Sequence, residues 1–246
     1  MPDVCLVVPC FNEASRLPAA AFLEFLGQHP EVAFCFVNDG STDTTESVLE
    51  RLRQAAPDRV TVATLPENRG KGEAVRHGMR LAAGAKQFAF VGYWDADLAT
   101  PLKELTAMHD VLAQSPVCQI VLGSRWRRLG SAIERNEVRH LLGRVFATAA
   151  SWVLNQPVYD SQCGAKLVRA SAVEPLFGEP FLTRWLFDVE LLARLRRHSS
   201  WAQVHDAAVE MPLREWRDVR DSRLGIGYML MVPRDLWRIH RQYRIR

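Results

Sequence analysis

Apolar runs alternate with segments of helical period from the first residues of the chain. Val4 to Val8 reads as a strand, Ala19 to Leu26 as a helix and Val32 to Val37 as a second strand. The alternation continues with a helix from about Thr44 to Ala55, a strand Val60 to Leu65, a helix Glu73 to Ala83 and a strand Phe88 to Tyr93. A helix from Pro101 to Leu112 and a strand Gln119 to Gly123 complete it. Repeated βα units of this kind predict an α/β fold with a mostly parallel, doubly wound sheet flanked by helices. After Ser124 the rhythm changes: a basic stretch runs to Arg128, a polar loop follows, a long helix is expected over Val138 to Leu154, and shorter irregular pieces succeed it. There is no internal repeat and no low-complexity segment.

With 246 residues, 48% of them hydrophobic and 24% charged, the chain can bury one sizeable core, and one domain with a short C-terminal appendage is expected. The net charge of +3 and the lack of a basic segment interleaved with aromatics argue against nucleic acid as a partner. From Leu213 onward nine arginines face four acidic residues, so this tail carries a formal charge of +5. Cys5, Cys10, Cys35, Cys118 and Cys163 include no Cys-x-x-Cys pair and sit mostly within or beside apolar runs, which fits reduced thiols in the cytosol. Residues 1 to 10 lack the basic start and long apolar stretch expected of a signal peptide, and the best apolar run, Val145 to Leu154, is too short to span a bilayer.

The most telling chemistry lies in Tyr93-Trp94-Asp95-Ala96-Asp97-Leu98-Ala99-Thr100-Pro101. Two carboxylates one residue apart, at the end of a buried strand, suit Mg²⁺ or Mn²⁺ bridging a diphosphate; taken alone, they equally suit a turn or a helix N-cap. Pro9-Cys10-Phe11-Asn12-Glu13 follows the first strand and Asn38-Asp39-Gly40-Ser41-Thr42-Asp43 the second. Adjacent parallel strands deliver their C-termini to one crevice, where Asp39 would accept a hydrogen bond from a nucleobase N–H. Glu67-Asn68-Arg69-Gly70-Lys71-Gly72-Glu73 opens a helix and offers amides and cations to an anion, yet it fits neither the P-loop nor the dinucleotide fingerprint, which needs a glycine where Val75 stands.

Together with Gly123-Ser124-Arg125 and Asp160-Ser161-Gln162-Cys163-Gly164-Ala165-Lys166, these motifs resemble the family 2 inverting glycosyltransferases of GT-A fold, and within them the dolichyl-phosphate or polyprenyl-phosphate glucosyltransferases. The resemblance runs nearly end to end. The related mannosyltransferases usually carry Gln-His where Ala99-Thr100 stands, and tend to have Thr-Ser-Gly where Gln162-Cys163-Gly164 stands; both differences point to UDP-glucose over GDP-mannose. The resemblance implies a nucleotide-sugar half over 1–124, an acceptor-side half over 125–232 and a basic amphipathic C-terminal helix over 233–246. It places Pro9, Asn12, Glu13, Asp39 and Lys71 at the donor, with Asp95, Ala96 and Asp97 at its diphosphate. Asp95 and Asp97 would hold the metal, Asp97 more directly, without the third ligand that the Gln of the mannosyl enzymes provides.

A phosphate acceptor, with its second pKa near about 6, is anionic enough to attack without a strong base and needs cations instead. Arg125, Lys166 and Arg223 are the candidates, with Gln162 and Ser222 beside them on the acceptor side. In Arg184-Trp185-Leu186-Phe187-Asp188-Val189-Glu190 the resemblance offers Asp188, then Glu190, as acceptor-side carboxylates; the same residues would also serve as favourable charges at a helix N-terminus. Met211 to Trp216 loosely matches the family's Pro-x-x-x-Trp. Tyr228 to Tyr243 mixes apolar and arginine residues in a way that suits either an interfacial helix at the inner face of a membrane or an amphipathic helix packed on the core. The rival readings are a transferase acting on a hydroxyl acceptor, a noncatalytic nucleotide-binding module, which the intact acidic pair opposes, and a nicotinamide enzyme, which Val75 opposes.

Overall fold

The structure is a computed structural model that describes residues 2–197, 205–219 and 231–243. The chain runs β1 (Val4–Cys10), α1 (Ala19–Gln28), β2 (Val32–Asp39), α2 (Thr45–Ala55), β3 (Val60–Leu65), α3 (Lys71–Gly84) and β4 (Phe90–Trp94). It continues with α4 (Glu104–Gln114), β5 (Ile120–Ser124), β6 (Ala132–Glu134), α5 (Glu137–Leu154), β7 (Ala165–Arg169), α6 (Ala170–Phe177) and α7 (Phe187–Arg197). β8 (Ala208–Pro212), β9 (Glu215–Arg217) and α8 (Val232–Tyr243) follow.

Two compact units emerge, Met1–Leu98 with Gly164–Pro180, and Ala99–Cys163 with Phe181–Arg246. The division therefore falls at Leu98, not after Ser124 where the sequence rhythm changes. Gly164–Pro180 returns to the first unit because β7 pairs antiparallel with β4, Tyr93 opposite Lys166 and Trp94 opposite Ala165.

In the first unit the strands lie in the order β3-β2-β1-β4-β7, and the first four are parallel. β1 and β2 are buried almost throughout and apolar until Asn38 and Asp39 at the end of β2, as strands covered on both faces must be. α1 closes one face through Phe22, whose ring meets those of Phe34 and Phe36 edge-on at 5.1 and 5.2 Å. The chain winds outward from β1 through β2 to β3 and then crosses back to place β4 on β1's other side. This reversal is the switch point at which open α/β sheets receive ligands. Pairing of β1 with β4 stops at Val7 opposite Tyr93, whereas pairing with β2 persists to Cys10 opposite Asn38. β1 thus extends past the apolar run that announced it, and Pro9 sits where one ladder has already ended.

In the second unit β5 pairs parallel with β8 and β6 parallel with β9. α8 buries Leu236 and Ile239 and packs on α5 and α7, so the apolar stripe of the C-terminal helix is a core contact. Among the described residues no helix is long and apolar enough to cross a membrane. All five cysteines are buried and none forms a disulfide; burial pushes Cys35 up to about 12 and, with the neighbouring Cys35, raises Cys5. Such thiols are poor nucleophiles.

Candidate active site

The loops leaving β1 and β2 in the first unit are stitched together by short polar side chains. Asn12 holds φ at 51°, a left-handed geometry that Asn tolerates, and this turns its amide toward the Ser41 hydroxyl at 2.9 Å. The Asn12 carboxamide oxygen accepts from the Thr42 amide at 2.8 Å. Asp43, just before α2, accepts from the Thr45 amide and hydroxyl at 2.9 and 2.5 Å, and the Thr45 hydroxyl accepts from the Glu13 amide at 2.7 Å. Asn12 and Glu13 are therefore fixed by the Asn-Asp-Gly-Ser-Thr-Asp segment, while Pro9 is held opposite Val37 in the β1–β2 ladder.

Asp39 is 2% exposed and its carboxylate faces the loop that opens α3. It accepts from the Arg69 amide at 2.8 Å, the Gly70 amide at 2.9 Å and the Asn68 side chain at 2.9 Å. Gly40, at φ +62°, lies so close to the Glu67 and Asn68 backbone that a Cβ there would overlap it. Whatever Asp39 offers a base, it also sets the loop from which Lys71 projects.

Lys71 reaches Asp95, its ammonium 2.5 Å from one carboxylate oxygen. The other oxygen lies over Gly164, where a Cβ would strike the carboxylate, and the Asp95 amide donates to the Gly164 carbonyl at 2.9 Å. Antiparallel β7 thus brings the glycine of Gln162-Cys163-Gly164 against the acidic pair. Asp97 has Arg16 at 4.0 Å, and Arg16 also meets Glu13 at 3.5 Å. Leu98 turns the chain away at φ 50°. Ala96 is buried between the two acids. Lys166 is wholly buried in β7, its ammonium 5.2 Å from the Tyr93 ring centre.

Among the described residues no group of three or more His, Cys, Asp or Glu side chains surrounds a single point. The donor set is instead two part-exposed carboxylates, 34% exposed at Asp95 and 26% at Asp97, with cations drawn onto each. This fits a hard divalent ion of the Mg²⁺ or Mn²⁺ kind, which takes one or two carboxylates and completes its shell with phosphate oxygens and water.

Of the acceptor-side candidates, Arg125, Gln162 and Asp188 lie in the second unit. Asp160 binds Arg125 in bidentate fashion at 2.6 and 2.7 Å and also accepts from the Arg125 amide at 3.0 Å. Burial pushes the Asp160 carboxyl up, but the Arg125 guanidinium and these hydrogen bonds outweigh it and hold the group at about 2. Glu210 on β8 clamps the turn by accepting from the Tyr159 and Asp160 amides at 2.8 and 2.7 Å. Arg125 is stacked 5.4 Å over the ring of Trp216. Gln162 carries a buried, unpartnered side-chain amide nitrogen, and Ser161 and Thr183 carry unpartnered buried hydroxyls. Asp188 is 4% exposed in the first turn of α7. Glu190 accepts from the Leu182 amide, Arg194 and the Tyr243 hydroxyl at 2.8, 2.9 and 2.8 Å, which ties α7 to α8. Ser222 and Arg223 lie outside the described residues.

A family model described as glycosyl transferase family 2 matches residues 5–177. The chain belongs to this family. The glycosyltransferase is 32% identical, over 99% of its length, to the dolichyl-phosphate beta-glucosyltransferase of Drosophila melanogaster, of which it covers 76%. It is 34% identical to the Mus musculus protein of that name over 98% of its length and 76% of the relative's. The Saccharomyces cerevisiae protein is 27% identical over 97% and 74% respectively. Among solved structures, glucosyl-3-phosphoglycerate synthase of Mycobacterium tuberculosis in complex with Mn²⁺, UDP and glucosyl-3-phosphoglycerate superposes with a TM-score of 0.67. It does so at 18% identity over 98% of this chain and 80% of that one. The GT-A architecture expected from the sequence is thereby borne out.

Sequence reasoning assigned no role to Arg16, Asp43 or Asp160, nor to Gly164 as a wall for Asp95. Asp43 and Asp160 stood inside quoted motifs; Arg16 carried no local signal, because its meeting with Asp97 depends on the β1–β4 pairing. Replacing Gly164 with Ala should press on the Asp95 carboxylate and lower turnover on the order of 10²-fold while leaving the near-ultraviolet dichroism unchanged. Asp160→Asn should cost about 3 kcal/mol near neutral pH, measured by denaturant unfolding. Because Asp160 is depressed in the folded state, its contribution is complete above the ordinary value of 3.8 and is lost as pH falls toward about 2, so the difference between the proteins should shrink across that window.

Proposed function

We propose that the enzyme transfers glucose, with inversion, from UDP-glucose to the phosphate of a dolichyl-type polyprenyl lipid at a membrane surface. The observation that carries this reading is the similarity along nearly the whole chain to dolichyl-phosphate beta-glucosyltransferases. The replacement of Gln-His by Ala99-Thr100 supports glucose over mannose.

In this reading the loops held by Asn12, Asp39 and Asp43 receive the nucleoside, with Pro9 and Glu13 lining it. Asp95 and Asp97 hold Mg²⁺ or Mn²⁺, which, when bound, offsets the charge of the departing diphosphate. Lys71 exchanges its contact with Asp95 for the diphosphate. An oxygen of the acceptor phosphate attacks the anomeric carbon, the bond from that carbon to the β-phosphate oxygen breaks, and UDP leaves with the bonding pair. The acceptor phosphate supplies its own negative charge, so no proton need be removed from it. It requires cations instead. Arg125, held rigid by Asp160, and Arg223 provide them; Lys166 adds a buried charge one residue along β7 from Ala165, the partner of Trp94. Asp188 and the unpartnered Gln162 amide orient hydroxyl groups of the sugar or the acceptor.

Labelled sugar transfer from UDP-glucose and from GDP-mannose to a short polyprenyl phosphate, with Mn²⁺ present, tests the proposal. Labelled lipid from UDP-glucose is expected, with a loss of about 10²-fold or more in Asp97→Ala. Asp188→Asn should lose only a few-fold, because a general base would contribute about 10²-fold or more. Donor hydrolysis without a lipid product would overturn the acceptor assignment.

A further inference from the structure

The helix α5 is apolar on two opposite faces. Ala147, Ala150 and Leu154 are buried on one. On the other, Val138, Leu141, Leu142, Val145 and Trp152 are exposed by 66, 66, 44, 63 and 87%. At about 100° per residue these five positions form one stripe roughly opposite the buried alanines, extending about 21 Å along the helix. In the preceding loop of the same unit, Trp126 and Leu129 are 47% and 101% exposed. A soluble surface seldom leaves a continuous apolar stripe of this length uncovered.

We propose that this face of α5, with the Trp126–Leu129 loop, is the surface by which the protein docks on an anionic lipid bilayer. The charge around the stripe selects this occupant. Between Arg125 and Leu154 there are six arginines against Glu134 and Glu137; with Arg125 paired to Asp160 and Arg127 to Glu137, four arginines remain against Glu134 alone. An apolar stripe bearing tryptophan within an arginine-rich segment is the composition of an interfacial helix, whose rings sit at the headgroup level while the arginines meet lipid phosphate. A second copy of the same surface would oppose arginine to arginine. α8 offers less apolar area, because its Leu236 and Ile239 are spent on the core. The inference rests on the reading of the acceptor as a membrane lipid, and it adds the surface that would bring the enzyme to that lipid.

The test is flotation of the full chain with vesicles of phosphatidylcholine, with and without phosphatidylserine, beside Leu141→Ser/Trp152→Ser. The parent should bind the anionic vesicles and be released by salt. The double variant should bind at least about tenfold more weakly, since each apolar side chain withdrawn from lipid contributes about a decade or more in partition, with an unchanged melting curve. Equal binding by the two proteins would overturn the proposal. So would a parent that sediments as a dimer, a variant that sediments as a monomer and vesicle binding by neither, which would make the stripe an interface between copies. Transfer to a water-soluble short-chain prenyl phosphate, measured without vesicles, should be the same in both proteins. Its absence from both would overturn the acceptor reading and leave the docking result standing.

Discussion

The first unit is organised around two carboxylates placed one residue apart at the end of a buried strand. Like charges so close destabilise the fold unless cations and rigid neighbours are brought to them. Lys71 comes from the start of α3, Arg16 from the loop after β1, and the Gly164 backbone from the residue just before β7, each delivered by a different segment of the chain. Asp39 belongs to the same arrangement at one remove, because its hydrogen bonds to the Arg69 and Gly70 amides set the loop from which Lys71 extends. The cations that balance the pair in the free protein also mark where a diphosphate and its metal would find complementary charge.

The second unit uses buried charge differently. Asp160 holds Arg125 through two parallel hydrogen bonds, and Glu210 fixes the turn beneath them. Glu190 is consumed by Arg194, Tyr243 and the Leu182 amide, so it holds α7 and α8 together. A buried ion pair contributes little net stability, yet removing one partner is costly, and such pairs therefore fix geometry more than they add stability. In the proposed function, that fixity would suit Arg125 to meet the acceptor phosphate in one orientation.

Much of the fold was legible because β1, β2 and β4 are buried on both faces and read as unbroken apolar runs between helices of clear period. Their ends were less so: β1 continues through Pro9 and Cys10 because the β2 ladder outlasts the β4 ladder, and α4 starts at Glu104 only after a turn from Pro101. The return of Gly164–Pro180 to the first unit left no local trace, since an antiparallel pairing between residues some seventy positions apart has no short-range signature. Within the site, Asp95, Asp97 and Lys71 stood out by residue type and by position at strand ends. Arg16 and Gly164 did not, because each matters only through the residue it touches in space. The apolar stripe of α5 escaped notice for another reason: exposed and buried apolar positions look alike in a sequence, and the run reads as one ordinary core helix.

The central claim is that Asp95 and Asp97 bind a nucleoside diphosphate through a divalent cation. Calorimetric titration of UDP into the protein, with and without Mn²⁺, tests it most directly. The account predicts binding that requires Mn²⁺ and is lost in Asp97→Ala, with the variant otherwise as stable as the parent. UDP binding of equal affinity without metal, unaffected by that substitution, would contradict it.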